Sequence, residues 1–445
     1  MPPVLPPGRQ TVPCGPHDTG RAPAVIDRLR AHAHSLAGGL PRTFWLLCAG
    51  MFVNRCGSFV LPFLSIYLTV SRGHSLATAG AVASLYGAGA MLSSLVGGYL
   101  ADHIGRRATM IAALALGGAG MIALGFAHDI RLIAPATFFV ALAGEAYRPA
   151  MLAAVSDLVP PAERGRAFGL LYWVINIGFS VGAVLGGAIA TVSFVMLFVF
   201  DGLTSIAFAL VIARFVPETR PTLAQPQHAS RPGDRVREFV APFIDGPFGL
   251  FILLSVLILL VFMQHVTAFP IDVTAHGVSR AWLGVVLAVN GVIIVLLQPF
   301  LAPVLQRLNR SRVLATGALL MAIGFGLNAV ARGPGLYALG VLIWSIGEIH
   351  LFPIGNALVA DVAPAPMRGR YQGAYGLTFG MAALGAPLIG TATLERFGAP
   401  ALWIGCLALG LAVAVGHLML GPSLSRLRRE RSTLHADQVI PQGAE

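Results

Sequence analysis

Gly144-Glu145-Ala146-Tyr147-Arg148-Pro149, then Ser156-Asp157-Leu158-Val159-Pro160 and Arg164-Gly165-Arg166, has a second copy later in the chain. The copy reads Gly347-Glu348, Pro353, Ala360-Asp361-Val362-Ala363-Pro364 and Arg368-Gly369-Arg370. From Pro149 onward the offset is a constant 204 residues, taking Asp157 to Asp361; one inserted residue separates Glu348 from its proline. Both copies join apolar runs of the length that crosses a bilayer as helix, about 20 residues. Counting outward gives runs at 43–70, 77–100, 108–127, 132–155, 167–191 and 194–215. A second set lies at 247–271, 281–304, 313–331, 335–359, 371–394 and 399–420. The copied segment is therefore the fourth-to-fifth connection of one set and the tenth-to-eleventh of the other. Two parallel repeats imply a pseudo-two-fold axis along the membrane normal and a cavity between the halves. The expected fold is an all-α polytopic membrane protein, with twelve transmembrane helices in two pseudo-symmetric six-helix bundles.

Composition supports this. The 445 residues are 56% hydrophobic and only 11% charged, with mean hydropathy +0.77; a water-soluble chain carries roughly 25% charged residues. All 30 basic residues are Arg. Without lysine there is no P-loop amine for ATP phosphates and no Schiff base to retinal or pyridoxal phosphate. Cys14, Cys48, Cys56 and Cys406 stand singly and read as thiols rather than disulfides or ligands. The 12 His show no metal-ligand spacing beside a carboxylate. No cofactor, no metal and no enzymatic activity are expected.

The net charge of +11 is a topology signal. Arg residues crowd the loops on one side (Arg106, Arg107, Arg164, Arg166, Arg310, Arg312), while opposite loops hold at most one each, such as Arg72 or Arg280. Both termini are then cytoplasmic, in a bacterial cytoplasmic membrane, and no nucleic acid is needed to explain the charge. The expected organisation is a disordered N-terminal extension over 1–42, a six-helix bundle over 43–216 and a cytoplasmic linker over 217–246. A second bundle over 247–420 and a cytoplasmic tail over 421–445, mobile over 423–445, follow. The extension lacks a signal peptide's apolar core; residues 24–37 are a candidate basic surface helix.

After the second run comes Gly98-Tyr99-Leu100-Ala101-Asp102-His103-Ile104-Gly105-Arg106-Arg107. This resembles the signature loop of the major facilitator superfamily, G-x-L-a-D-x-x-G-R-[KR], at the matching loop on the Arg-rich side. Gly105 permits the bend. Asp102 is expected near the start of the third helix, where its charge suits the helix dipole, with Arg106 and Arg107 as gate partners. The fifth run contains Gly178-Phe179-Ser180-Val181-Gly182-Ala183-Val184-Leu185-Gly186-Gly187. It resembles the antiporter motif G-x-x-x-G-P-x-x-G-G of twelve-helix drug:proton exporters, with Ala183 in the proline position; the second-half copy keeps Pro387. Ser180 also fits G-x-S-x-G, but a nucleophile elbow needs a strand–turn–helix setting absent here. The resemblance implies the major facilitator fold over about 43–420. The exporters' fourth-helix Arg is displaced one turn, to Arg148.

Ionisable groups at bilayer depth are costly and normally face a partner or a wet cavity. Glu348 has no basic neighbour within a turn except His350 and is the first candidate for carrying a proton. Glu145 and Asp201 follow. Arg148 is placed to pair with Glu145 three residues away. Arg55 either attracts an anionic substrate or holds Asp201. Asn176 and His265 are further cavity candidates, His265 reading more readily as a packed histidine. The expected function is secondary active transport, with small amphipathic compounds or drugs leaving by alternating access in exchange for protons. The expected partners are a small-molecule substrate, protons and the lipid bilayer, with the chain acting as a monomer. Proton-coupled uptake, lipid or peptide movement by the same fold, and a non-transporting membrane sensor are the alternatives.

Overall fold

The computed structural model describes residues 39–160, 163–220, 240–364 and 367–439. The proposed surface helix 24–37, Cys14 and linker residues 221–239 lie outside the described residues, and the helical unit spans Pro41–Glu445. Its first half contains α1 (Arg42–Ser71), α2 (Leu76–His103), α3 (Arg106–Phe126), α4 (Ile130–Leu158), α5 (Arg164–Val192) and α6 (Phe194–Phe215). The second contains α7 (Gly246–Ala275), α8 (Arg280–Leu305), α9 (Arg310–Ala329) and α10 (Pro334–Val362). A last continuous stretch, Arg368–Val439, is broken at Gly398 (φ 79°, ψ 171°) into α11 (368–397) and α12 (399–439). A left-handed φ at that point is natural only for glycine. Among the described residues this makes twelve membrane-length helices in two sets of six, in agreement with the sequence-based count.

The halves repeat down to their caps. Ser75 accepts from Thr78 N at the start of α2, and Ser279, 204 residues on, accepts from Trp282 N at the start of α8. A serine at this position satisfies an orphan N–H of the first turn.

Three helices break at mid-bundle, each ahead of a proline that removes an intrahelical donor. α1 opens after Gly57, before Pro62. α4 opens at Glu145–Ala146, before Pro149. α7 passes through a short 3₁₀ turn, Met263–His265, before Pro270. The repeat mate of the α4 break behaves differently. With its extra residue, α10 runs unbroken through Glu348 and Pro353.

Polar groups within the helices find partners inside the fold, as apolar surroundings require. At the Arg-poor end of the second half, buried Asp272 of α7 accepts at Oδ2 from Tyr337 OH of α10 (3.0 Å) and Trp403 Nε1 of α12 (3.0 Å). His276 Nδ1 lies 3.3 Å from Oδ1. Phe269 packs edge-on against Tyr337, Trp344 and Trp403, closing an aromatic box over the acid. Large apolar side chains such as Leu203, Phe139, Leu210, Phe300 and Met419 remain exposed along the outside, where hydrocarbon suits them better than water.

Two expectations are corrected. The tail does not end its order at residue 420: α12 continues to Val439. Leu424 is buried, and Arg431 donates to Asp245 Oδ2 (2.6 Å) and to the Val362 carbonyl, docking the extension against the ends of α7 and α10. Asp102 does not sit at the start of α3. It lies in the last turn of α2, ion-paired with Arg106 (2.9 Å). The group serving the α3 N-terminus is Glu218, beyond the end of α6, which accepts from Arg106 N (2.9 Å) and Arg107 N (3.1 Å).

Candidate functional site

The loop around Gly105 is tied within the first half. Arg106 bridges Asp102 and Asp157 (3.1 Å), joining the end of α2 to that of α4, and Arg107 donates to the Ala213 carbonyl of α6. Gly105 has φ 102°, and an added Cβ would lie 2.3 Å from the Glu218 carboxylate. Glycine thus supplies both the turn and the room for the cap, while Gly98 faces open space. Partial burial works against the Glu218 charge. The backbone N–H groups of Arg220, Arg106, Arg107 and Thr219 outweigh it and hold the carboxyl below its ordinary value. The cap is therefore complete above the ordinary carboxyl range and is lost as pH falls through the lowered value. Glu218→Gln is expected to cost about 1 kcal/mol, typical of a lost N-cap. Hydrogen-exchange protection at the α3 N-terminus, relative to the intrinsic rate, should fall on acidification in wild type and be low at all pH in the variant; equal protection in both would refute the cap.

The second half carries an equivalent. Gln306 stands where Asp102 has its counterpart, yet Arg310 pairs with Asp361 (2.8 Å), the repeat of Arg106 with Asp157. Arg428 of α12 joins at 3.1 Å.

The antiporter-like motif divides between two faces of α5. Gly178, Gly182 and Gly186 meet α1: added Cβ atoms would lie 2.6 Å from Arg55 Cβ, 2.7 Å from the Arg55 carbonyl and 2.8 Å from Phe59 Cβ. Ala183 and Gly187 meet α8 of the other half, where a Cβ on Gly284 would lie 2.3 Å from the Ala183 carbonyl. Pro387 in α11 does the same against α2: its carbonyl is 2.8 Å from a Cβ on Gly80. Small residues let backbones approach this closely. Both contacts between halves lie toward the Arg-poor end.

Toward the Arg-rich end the halves part. A groove of about 570 Å³ between α2, α4, α7 and α11 runs from Met263 and Ala383 to Arg370. Met91, Leu95, Phe379 and Leu377 make it largely apolar; Glu145 and Arg148 reach its wall. Behind them lies a polar cluster. Arg148 clasps Glu145 through Nε and Nη2, and Tyr86 OH donates to Glu145 (2.9 Å). Arg55 donates to Tyr147 OH, which donates to Asn54 Oδ1 (3.3 Å); Asn54 donates to Ser205 (2.9 Å). Asp201 is buried and lines, with Arg55, Tyr86 and Glu145, a cavity of about 110 Å³.

Glu348 stands apart from this cluster, where α5, α8 and α10 meet. It is buried and accepts from Asn290 of α8 (2.9 Å); Tyr172 of α5, in the other half, is 3.4 Å away. No ionic partner reaches it among the described residues. The remaining candidates are bound within their own helices. His350 donates from Nδ1 to the Ile346 carbonyl (2.8 Å) and packs on Gly317 of α9. His265 bonds the Phe262 carbonyl and leans on the Phe262 ring. Asn176 donates to the Tyr172 carbonyl (2.8 Å). Their neighbour Gln264, by contrast, crosses to the Ala386 carbonyl of α11 (3.1 Å). Tyr172, Asn290 and Asp272 were not singled out from sequence. Tyr172 and Asn290 carry no charge that would have flagged them.

The sequence pattern of the Major Facilitator Superfamily matches residues 47–281 and 265–438. An uncharacterised MFS-type transporter of Bacillus subtilis, YttB, is 27% identical over 86% of this chain and 95% of its own length. The Na(+), Li(+), K(+)/H(+) antiporter of Planococcus maritimus is 23% identical over 77% of this chain and 87% of its own. Multidrug resistance protein MdtH of Cronobacter sakazakii is 26% identical over 76% and 83%. A solved structure of the peptide transporter POT with alafosfalin shares the fold, with TM-score 0.73 and 19% identity over 88% of this chain and 96% of that one.

Proposed function

The chain belongs to the Major Facilitator Superfamily and is a membrane transporter, and from that premise we propose that it expels small amphipathic compounds in exchange for protons. Its relatives and structural neighbours are transporters, not enzymes. Two relatives named for antiport and for multidrug resistance support export. The Arg bias supports a cytoplasmic Arg-rich end, with both termini on that side of a bacterial membrane. The groove then opens inward and the glycine contacts close the outside. One chain supplies both halves, so a monomer suffices.

The observation that carries the reading is Glu348. A buried carboxylate held only by neutral donors, at the seam between halves that must move, can exchange a proton as access alternates. Glu145 is neutralised by Arg148 and instead faces the groove, where the ion pair meets the polar end of an amphipathic compound. The apolar wall takes the remainder.

A susceptibility screen comparing cells with and without the protein identifies compounds. Wild-type proteoliposomes containing a pH dye should then move protons when such a compound is added. Glu348→Gln is expected to reduce that movement to the level of empty liposomes while compound binding persists. Undiminished compound-driven proton movement in the variant would end the assignment.

A further inference from the structure

Three acids are buried among the described residues, and two have donors. Asp272 accepts from Tyr337 and Trp403, and Glu348 from Asn290. Asp201 differs. It is 5% exposed, and among the described residues no hydrogen bond or ion pair reaches its carboxylate; only its backbone carbonyl is used, by Thr204. It is not sealed in apolar packing either, because it lines the 110 Å³ cavity, which has room for several water molecules.

Four other helices line that cavity, and its polar groups come from three of them. α1 brings Arg55 and Ser58, α2 brings Tyr86, and α4 brings Thr137, Glu145 and Arg148. α3 packs on α6 through Gly118 and Gly202 and contributes no charge there. Glu145, Arg148 and Tyr86 are engaged with one another. Arg55 is engaged at Nη2 by Tyr147, but its Nε is buried without a partner. The chamber thus holds an acceptor without a donor and a cation with an unused N–H. A buried ionised carboxylate without donors is costly, and a proton is the smallest ligand that removes the charge. Once the proton leaves, Arg55 across the cavity supplies the counter-charge.

We propose that Asp201 is a second proton-binding site, in the half opposite Glu348, so that each cycle exchanges two protons. This rests on the proton-exchange reading of Glu348 but uses a separate chamber, and the two are separable by experiment. Infrared difference spectroscopy on the purified full-length protein, titrated with no compound added, reports protonated carboxyls across the neutral range. Exposed carboxylates, with ordinary values near about 4, stay ionised there. The wild-type signal should fall by about half in Asp201→Asn, by about half in Glu348→Gln, and vanish in the double variant. Asp201→Glu should displace the signal rather than remove it, which a purely structural role would not do.

An undiminished signal in Asp201→Asn, with complete loss in Glu348→Gln, overturns the second site and leaves Glu348 standing. Loss confined to Asp201→Asn overturns the Glu348 reading, and with it the count of two. No signal in wild type overturns both. In proteoliposomes the proton-to-compound ratio should drop from about two to about one in Asp201→Asn; an unchanged ratio contradicts the proposal.

Discussion

Gly284→Leu is expected to stop transport while leaving the protein folded. In the state described here an added Cβ at Gly284 meets the Ala183 carbonyl and lies 3.0 Å from Gly187 Cα. Backbone cannot step aside as a side-chain tip can. Overpacking of this kind costs about 1–3 kcal/mol, which shifts a two-state equilibrium roughly 5- to 150-fold. The cost falls on the conformation closed at the Arg-poor end, so the population should move toward the one open there. Spin labels at Val192 and Trp282, both exposed at that end, should report longer distances in the variant. Gly98→Ala, with nothing within 4 Å of the new Cβ, is the neutral control. Unchanged label distances together with normal transport would show that the α5–α8 contact opens by some other route.

The second large effect concerns stability. Asp272→Ala leaves Trp403 Nε1 buried without its acceptor and Tyr337 OH with only His276 Nδ1 (3.0 Å) to turn to, and an orphaned donor costs about 1–3 kcal/mol. A loss of about 1–3 kcal/mol is expected, read as a lowered thermal midpoint in detergent with a shifted Trp403 emission. Asp272→Asn keeps one acceptor oxygen and should lose much less. Equal midpoints for Ala and wild type would mean the aromatic box stands without its acid.

Asp272 also marks where sequence reading stopped short. The seventh apolar run reads as ending at 271, one residue before it, so the acid falls into a loop. In the structure α7 continues to Ala275 past its 3₁₀ break, a continuation that hydropathy alone does not reveal. The repeat, the twelve runs and the gate turn were legible because each depends on residues adjacent in the chain or at one fixed offset. The Glu218 cap was not, since its partners lie 112 and 111 residues away. The Arg310–Asp361 pair was masked by Gln306, although the offset of 204 that relates Asp157 to Asp361 also relates Arg106 to Arg310. For the glycine motif, spacing predicted close packing. That three members serve α1 and two serve α8 depends on how α5 is rotated, which one helix's sequence does not specify.

At Gly284 against α5 and at Gly87 against α11 the surfaces meet main chain to main chain, so few side chains must change rotamer at these points for them to roll over each other. Such a bearing has little internal friction. The pace of turnover should then be governed by loading and discharge at Glu348 and its neighbours, and should respond steeply to acidity but weakly to membrane viscosity.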